Sequence, residues 1–484
     1  MIMTAEMLYR ERILSRLGER EAVLEILTGI REKGTYSHIA VKEMLDRCER
    51  DGMDRRQRAF VKRLTEGVIE RRIELDDVLR QYAKKGARIR PVIRDILRIG
   101  IFQILYMDSV PDSAACNEAV ILTKKYGKKE LSGFVNGLLR NVVRDKEAGR
   151  FTAGSMKEAG ELSGAGELSR RFSMPEWIIG MWQKQLGEEE TGKLLEALLE
   201  VRPVSVRFDD QCSQARREEI LAQMAEKGVK AKKGHYLPYC YELTGTDSIQ
   251  ELPGYREGAW TVQDESSMMV AEAAGLAGGE TIYDVCAAPG GKAMHCASKL
   301  LAGAGEKGES GTVYAFDLSK GKTTQILRNV HRMHLSNVIV KQRDALIPVP
   351  EEAGKADVLL CDLPCSGLGV IGRKRDIKYH VTPKQLEELA QLQKDILRSA
   401  VPYLKEGGVL IYSTCTINAG ENEEVAEFIE KEMGMCPDPL TPYLPEGIPG
   451  IRGNRLQLLP HVHGTDGFFL ARFVKKSPDD QEET

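Results

Sequence analysis

The sequence predicts a multidomain chain: an all-α front domain, a small α+β middle module, and a C-terminal doubly wound α/β domain. Three observations carry this reading. The 484 residues exceed what one core holds, since about 100–200 residues make a domain. Residues 1–148 carry apolar positions at helix spacing and no strand-like alternation of useful length. Residues 261–476 alternate near-continuous apolar strands with helical stretches, the pattern of a parallel sheet covered on both faces.

Composition narrows the function classes. Apolar residues make up 42% and charged residues 29%, with a net charge of -3. That balance excludes a wholly basic nucleic-acid binder but leaves room for local basic faces. Nothing approaches the ~18 consecutive apolar residues of a membrane span. Met1 to Leu14 carries Glu6, Arg10, Glu11 and Arg12 where a signal peptide needs an apolar core, so a cytoplasmic protein without membrane partners is expected. The ten cysteines are then expected as thiols. Cys361 and Cys365 are the closest pair, with no second pair or histidine cluster nearby, so no metal is expected.

In the front domain, Ala22, Val23, Ile26, Leu27 and Ile30 fall on one helix face, as do Phe60, Leu64, Val68 and Ile69. Pro91 suits a helix N-terminus and opens a run to Tyr106 with Ile93, Ile96, Leu97, Ile101 and Ile104 on a broad buried face. A further helix, Ala115 to Tyr126, ends at Gly127, a residue suited to the C′ position. Two basic groups stand out: Lys84, Lys85, Arg88 and Arg90 with Arg94 and Arg98, and Lys124, Lys125, Lys128 and Lys129. Either they are solvated helix faces or they meet RNA phosphate. This domain resembles the NusB family of helical RNA-binding domains. The likeness is carried by Ile93–Leu105, Asn117–Val120 with Lys124–Gly127, and Phe134–Leu139. RNA binding, with Arg88 and Arg90 among the contacts, is implied by that resemblance.

Residues 149–170 turn to Gly, Ala, Ser and Glu and repeat Ala-Gly-Glu-Leu-Ser at 159–163 and 165–169, which reads as a flexible linker. In residues 171–260, Pro175 starts an amphipathic helix with Ile178, Ile179 and Trp182, and Pro203 to Phe208 alternates like a strand. A helix with Ile220, Leu221 and Met224 follows, then a strand-like stretch from Tyr239 to Leu243. Trp177, Trp182 and Trp260 could stack on bases, although the core is the commoner place for tryptophan.

The C-terminal domain turns on Tyr283 to Lys292. A short strand, Thr281 to Val285, breaks at Ala-Ala-Pro-Gly-Gly, and a helix starts with Ala293, Met294, Ala297 and Leu300 on one side. Strand, glycine turn, helix is the ligand end of a doubly wound sheet. Gly290 and Gly291 permit positive φ and close approach of a ligand. Strands at 313–317, 338–341, 357–361 and 408–412 follow, with a helix carrying Leu389, Leu392, Ile396 and Ala400 before the last. Residues 302–311 form a glycine-rich loop, and 477–484 a polar tail.

Acids mark the strand ends: Asp284 before the turn, Asp317, Asp344 and Asp362 after the next three strands. Successive acids facing a glycine turn point to a nucleoside ligand, with Asp317 placed to accept from ribose hydroxyls. The turn lacks the Gly-x-Gly-x-x-Gly pyrophosphate cradle, so S-adenosylmethionine fits better than NAD. Cys365, in Asp-Leu-Pro-Cys, and Cys415, in Ser-Thr-Cys, follow two of the strands. A lone cysteine is most often a small buried apolar residue; two at the carboxyl edge of a sheet suggest a target that needs a nucleophile. C5 of cytosine is such a target, inert until a thiolate adds at C6, and a carboxyl at N3 would steady the adduct.

With these residues the C-terminal domain resembles the NOL1/NOP2/Sun group of RNA cytosine-5 methyltransferases. The matching stretches are Asp284–Lys292, Asp317, Asp344, Asp362–Gly367, Ser413–Cys415 with Glu421–Glu423, and Asp466–Phe469. The resemblance implies that Cys286, Ala287, Ala288, Pro289, Gly290, Gly291 and Lys292 line S-adenosylmethionine, with Asp317 at its ribose and Asp344 near its adenine. It implies Cys415 as nucleophile, Cys365 as the thiol that assists product release, and Asp362 in contact with cofactor or base. Val262–Ser267 would lie near the methionine end. Arg373, Lys374, Arg375 and Lys378 would meet RNA phosphate, and the substrate would be 16S ribosomal RNA, free or in early assembly, bound by a monomer with no obligate protein partner. Arg375 and Ala293 depart from the Pro and Thr usual in the group.

Two rival readings remain at this level. One keeps the chemistry but moves it to another ribosomal site or a transfer RNA. The other is a non-catalytic RNA-binding assembly factor. DNA cytosine methylation places its nucleophile in a Pro-Cys after the fourth strand, where Cys365 stands, so which thiol attacks rests on the resemblance.

Overall fold

The computed structural model describes residues 17–84, 88–126, 129–152, 155–156, 164–246, 248–303 and 310–476. Expectations for residues 1–14, Lys85, Gly127, Lys128, the first Ala-Gly-Glu-Leu-Ser copy, most of loop 302–311 and tail 477–484 lie outside the described residues. The chain divides into two compact units, residues 1–196 with 373–380, and residues 197–372 with 381–484.

The first unit is helical. Helix α1 (Glu19–Lys33) has acids in its first turn, which suit the positive end of the helix dipole, and stops at Gly34 with φ 65°. After α2 (Ser37–Arg50), α3 (Arg55–Glu70) starts from a reciprocal cap, in which Asp54 accepts from Gln57 N at 2.8 Å and Gln57 from Asp54 N at 3.0 Å. Helix α4 (Arg72–Tyr82) leads to α5 (Pro91–Tyr106), which spans the run predicted from Pro91. Helices α6 (Asp112–Tyr126) and α7 (Ser132–Glu147) complete one core with Ile93, Ile96, Ile101, Leu64, Val68 and Ile26. A methyl group on Gly67 would sit 2.0 Å from the Phe102 ring, so α3 and α5 approach there only through glycine.

The linker expectation for 149–170 fails in its second half. Ala165–Phe172 is helix α8, followed by α9 (Glu176–Leu186) and α10 (Glu188–Leu199). The second Ala-Gly-Glu-Leu-Ser copy runs straight into Phe172 and Met174, and burying these two side chains offsets the ordering entropy. Trp182 and Trp260 are fully buried, which rules out base stacking for both.

Residues 373–380 group with the helices, and this corrects the RNA-contact expectation for two of its cations. Arg375 is held at 2.8 Å by both Glu66 and Glu70. Lys378 is buried, and its ammonium donates to Glu70 O at 2.8 Å. Neither is free for phosphate. Arg373, Lys374, Arg88 and Arg90 are exposed. In the basic groups, Arg98 pairs with Asp76 at 2.6 Å and Lys125 with Glu21 at 2.5 Å.

Burial pushes the Lys378 amine down to about 7. In the unfolded chain it keeps its proton to about pH 10.4, so between those values the unfolded state binds more protons and stability rises with pH. Lys378→Met is therefore expected to raise the unfolding temperature at pH 7, with a gap to wild type that shrinks by pH 9. Thermal unfolding of both proteins at the two pH values measures this, and a pH-independent gap would mean that Lys378 is folded in without its charge mattering.

The second unit holds two sheets. The smaller is antiparallel, with strands β1 (Val204–Phe208), β2 (Lys230–Lys233), β3 (Cys240–Thr244) and β4 (Trp260–Val262) in the order β2-β3-β1-β4, and helix α11 (Gln214–Glu226) packed on it. Strand β2 was not expected; it is a fully exposed edge with three lysines, which discourages pairing with other chains. Helix α12 (Glu265–Ala273) fastens the chain just before β3, because buried Glu265 accepts from His235 N, Tyr236 N and Leu237 N at 2.6–2.8 Å.

The larger sheet contains β5 (Thr281–Asp284), β6 (Thr312–Asp317), β7 (Val338–Gln342), β8 (Ala356–Asp362), β9 (Leu404–Thr414), β10 (Met435–Pro437), β11 (Arg455–Leu458) and β12 (Phe468–Lys475). Its order is β10-β12-β9-β8-β5-β6-β7, with β11 also on β12. Strands β9, β8, β5, β6 and β7 are parallel, as their apolar runs predict. Strand β12 is antiparallel to β9, β10 and β11, so the sheet is mixed and not wholly parallel. Helices α13 (Gly291–Gly303), α14 (Lys320–Arg332), α15 (Pro383–Ala400) and α16 (Glu423–Lys431) supply the crossover connections and cover the faces. The parallel strands end together at one edge, beside the glycine turn.

Candidate active site

At that edge Asp284 leaves β5 and the chain turns through Cys286 to Lys292 into α13. The two glycines differ in role. Gly290 has φ 104°, a conformation that costs other residues, whereas Gly291 lies in the first turn of α13 and leaves the space beside it open. A side chain on Gly291 would point at Gln263, 3.8 Å away, whose Nε2 is buried and has no partner. A turn open at Gly291, beside an unsatisfied donor, fits a polar ligand.

The strand-end acids fall where the sequence places them, but they also brace the turn. Asp317, almost wholly buried, accepts from Ala288 N at 2.9 Å and Leu318 N at 2.8 Å, and Lys322 approaches to 3.1 Å. Asp344 turns its carboxylate back to Leu346 N at 3.0 Å. Asp362 accepts from Lys292 Nζ at 2.7 Å and from Ser413 Oγ at 2.9 Å. Burial, reinforced by Asp362, pushes the Asp284 carboxyl up to about 7. Burial works against charge on Lys292, but Asp362, Cys415 and Asp284 together outweigh it and the net shift is upward, so Lys292 carries its proton. Burial also raises the Cys286 thiol, which leaves it a neutral part of the turn.

The two cysteines meet. Strands β8 and β9 run side by side with Asp362 opposite Ser413, and the loops leaving them bring Cys365 Sγ to 3.2 Å from Cys415 Sγ. The hydrogen bond to Cys415, together with burial, pushes the Cys365 thiol well above its usual range. Cys365 therefore keeps its proton and can donate it toward the Cys415 sulphur.

Sequence reasoning quoted Glu421 in a motif and gave it no role; the structure makes it the hub beneath the thiols. It is fully buried and accepts from Ser366 N at 2.8 Å, Ser366 Oγ at 2.5 Å, Asn418 Nδ2 at 2.9 Å and Gln393 Nε2 at 3.2 Å. Asn422 adds a second tie, accepting from Thr414 Oγ1 at 2.6 Å and donating to Thr416 O at 3.1 Å. Gly369 was missed as well. Its N–H donates to Cys415 O at 3.1 Å, and any side chain there would lie 2.0 Å from Gly467 O. The available signal was the glycines of Ser-Gly-Leu-Gly369 and of Asp-Gly467, each beside a motif residue.

The chain resembles known proteins along most of its length. Residues 273–474 match the family described as 16S rRNA methyltransferase RsmB/F, residues 18–144 the NusB family, and residues 174–250 the ferredoxin-like domain of RsmF/B-like methyltransferases. The probable ribosomal RNA small subunit methyltransferase B of Bacillus subtilis (strain 168) is 33% identical over 472 residues, covering 96% of this chain and 100% of that protein. Its counterpart in Synechocystis sp. is 32% identical over 95% of this chain and 100% of its own length. Among solved structures, PH0851 shares the fold with a TM-score of 0.75 over 95% of this chain and 99% of that one, at 24% identity. The chain belongs to the ribosomal RNA small subunit methyltransferase B family and is an S-adenosylmethionine-dependent ribosomal RNA methyltransferase.

Proposed function

We propose that the enzyme methylates C5 of a cytosine in 16S ribosomal RNA, with Cys415 as the nucleophile that adds to C6 and Cys365 as the thiol that serves product release. The observation that carries this is the 3.2 Å approach of the two sulphurs at the ends of adjacent parallel strands. Cys286 to Lys292, with Asp317, Asp344 and Asp362, would hold S-adenosylmethionine, which supplies the methyl group when bound. The charge of Lys292 acts on Cys415 as well as on Asp362, an arrangement that supports a thiolate. Adding that thiolate to C6 makes C5 nucleophilic. After methylation the Cys365 S–H can give its proton to the departing Cys415 sulphur across 3.2 Å as the C–S bond breaks, and the Cys365 thiolate left behind takes up the C5 proton. Asp362, fixed by Lys292 and Ser413, faces the base or the cofactor.

Arg373, Lys374, Arg88 and Arg90, all exposed, are proposed as contacts to RNA phosphate. Both thiols, the acids and the glycine turn come from one unit of one chain, which supports a monomer acting without an obligate protein partner. Among the described residues no helix is long and apolar enough to cross a membrane; together with a ribosomal RNA substrate this supports a cytoplasmic site of action on free or early-assembly RNA.

The test is a denaturing gel of Cys365→Ala and Cys415→Ala proteins incubated with ribosomal RNA and S-adenosylmethionine. A stable protein–RNA adduct is expected with Cys365→Ala and none with Cys415→Ala. Sequencing the trapped RNA names the nucleotide and separates 16S RNA from another ribosomal site or a transfer RNA. An inverted pattern would make Cys365 the nucleophile.

A further inference from the structure

The helical unit contains a pocket of about 420 Å³ that the methyl-transfer site does not use. That volume lies within the ~300–1,000 Å³ of small-ligand sites. Its floor is apolar, with Leu27 and Ile69, and its wall carries Arg31, Arg72, Arg94 and Arg98. Two of these cations are engaged: Arg98 by Asp76 at 2.6 Å and Asp95 at 2.9 Å, and Arg31 by Asp95. Arg72 and Arg94 differ. The Arg72 guanidinium lies 3.7 Å from the centroid of the Tyr379 ring, and Arg94 is exposed. Among the described residues, neither has a carboxylate within ion-pairing distance. Burial pulls the Arg72 guanidinium below its usual value, so a bound anion would offset a cost the fold already carries. Pro91 opens the 16-residue α5 at the rim with Arg94 in its first turn, which adds the positive end of a helix.

An aromatic surface borders the same pocket. Asp376, one of the lining residues, accepts from Ser37 N at 2.5 Å and Ser37 Oγ at 2.7 Å, and lies 3.4 Å from His380 Nε2. This fixes Tyr36, the residue before α2, with its ring 5.0 Å from that of His380 and 6.0 Å from that of His38. Tyr36 is 47% exposed, although Ser37 beside it is buried and tied to Asp376. An exposed ring against His380 at the edge of a pocket, with two arginines in the lining that no carboxylate pairs, is a combination suited to single-stranded nucleic acid: a stacking face for a base and cations for its phosphate.

We propose that this pocket takes one unpaired nucleotide of the RNA substrate, its phosphate between Arg72 and Arg94 and its base against Tyr36. The proposal rests on the assignment of the chain as an RNA methyltransferase and adds where the helical unit grips the strand. It corrects the sequence-level emphasis on Arg375 and Lys378, whose charges are consumed inside the fold.

The test uses the full-length protein, a 16S ribosomal RNA transcript, equilibrium binding across a salt series, and steady-state methylation. Arg94→Ala is expected to bind RNA about tenfold more weakly, with a salt slope reduced by about 1. Tyr36→Ala should lose on the order of tenfold in affinity with the slope unchanged, and Tyr36→Phe should restore it, because the ring stacks and the hydroxyl does not. Both losses should appear in KM for RNA and not in kcat. Wild-type affinity and slope in Arg94→Ala and Tyr36→Ala, in an enzyme that still methylates RNA, would overturn the pocket and leave the enzymatic assignment standing. A loss confined to kcat, or one that Tyr36→Phe fails to rescue, would also overturn it. A wild-type protein that neither binds nor methylates ribosomal RNA would remove the underlying assignment, and the pocket with it.

Discussion

Cys415→Ser is expected to lower kcat by on the order of 10⁴-fold or more, the usual scale for loss of a covalent nucleophile, while S-adenosylmethionine affinity stays within about twofold of wild type. A serine hydroxyl has nearly the size of the thiol, so the loops around it need not move. What changes is acidity: at neutral pH the hydroxyl does not ionise, and Lys292, whose charge acts on Cys415, cannot make it do so. Binding should survive because the groups proposed to hold the cofactor, from the glycine turn and Asp317, are built from β5, α13 and β6 and owe nothing to the cysteine. Calorimetric titration with S-adenosylmethionine and a methyl-transfer assay on ribosomal RNA measure the two halves. Retained turnover would hand the attack to Cys365. The environment of Cys365 argues against that outcome, since its hydrogen bond to Cys415 and burial push the thiol upward.

The parallel half of the sheet was legible because its strands carry apolar runs and four of the five are followed by an acid at or just past their ends, a pattern set by local chain chemistry. Helix α5 was legible for the same reason, with Pro91 marking its start. The antiparallel edge was not. Strand β12 reads as Phe-Phe-Leu-Ala-Arg-Phe-Val-Lys, and nothing in that run states that it will pair with β9 in reverse. The cofactor turn and both cysteines were readable as residue types at strand ends. Their mutual geometry was not, because the 3.2 Å sulphur contact joins residues 50 positions apart. The basic stretch 373–378 misled for a related reason. A run of cations looks solvated until one sees Glu66 and Glu70, some 300 residues earlier, beside Arg375. Sequence patterning reports burial and local turns; it is silent on which distant side chain satisfies a charge.

The largest stability effect is expected at Glu421, where that silence mattered most. Glu421→Ala removes the acceptor of four hydrogen bonds, from Ser366 N, Ser366 Oγ, Asn418 and Gln393. Each buried donor left without a partner costs about 1–3 kcal/mol, and the hydroxyl and amides can partly re-pair with one another. The net loss is then about 3–5 kcal/mol, the scale of breaking a buried polar network. At about 2–4 °C per kcal/mol for a unit of this size, the unfolding temperature should fall by roughly ten degrees. Activity should fall further than stability alone dictates. Ser366 follows Cys365, and Thr416, whose Oγ1 lies 2.7 Å from Ser366 Oγ, follows Cys415. Untying Ser366 lets the two loops separate and breaks the sulphur contact. Glu421→Gln separates the contributions: it keeps the volume and one carbonyl acceptor but turns an amide N–H₂ toward a donor, so it should recover part of the stability and little of the turnover. Thermal unfolding with and without S-adenosylmethionine, alongside methyl transfer measured well below the transition, reads both. Full turnover in a destabilised Glu421→Gln protein would mean that the spacing of the thiols is set by the strands alone and that the carboxylate only holds the fold together.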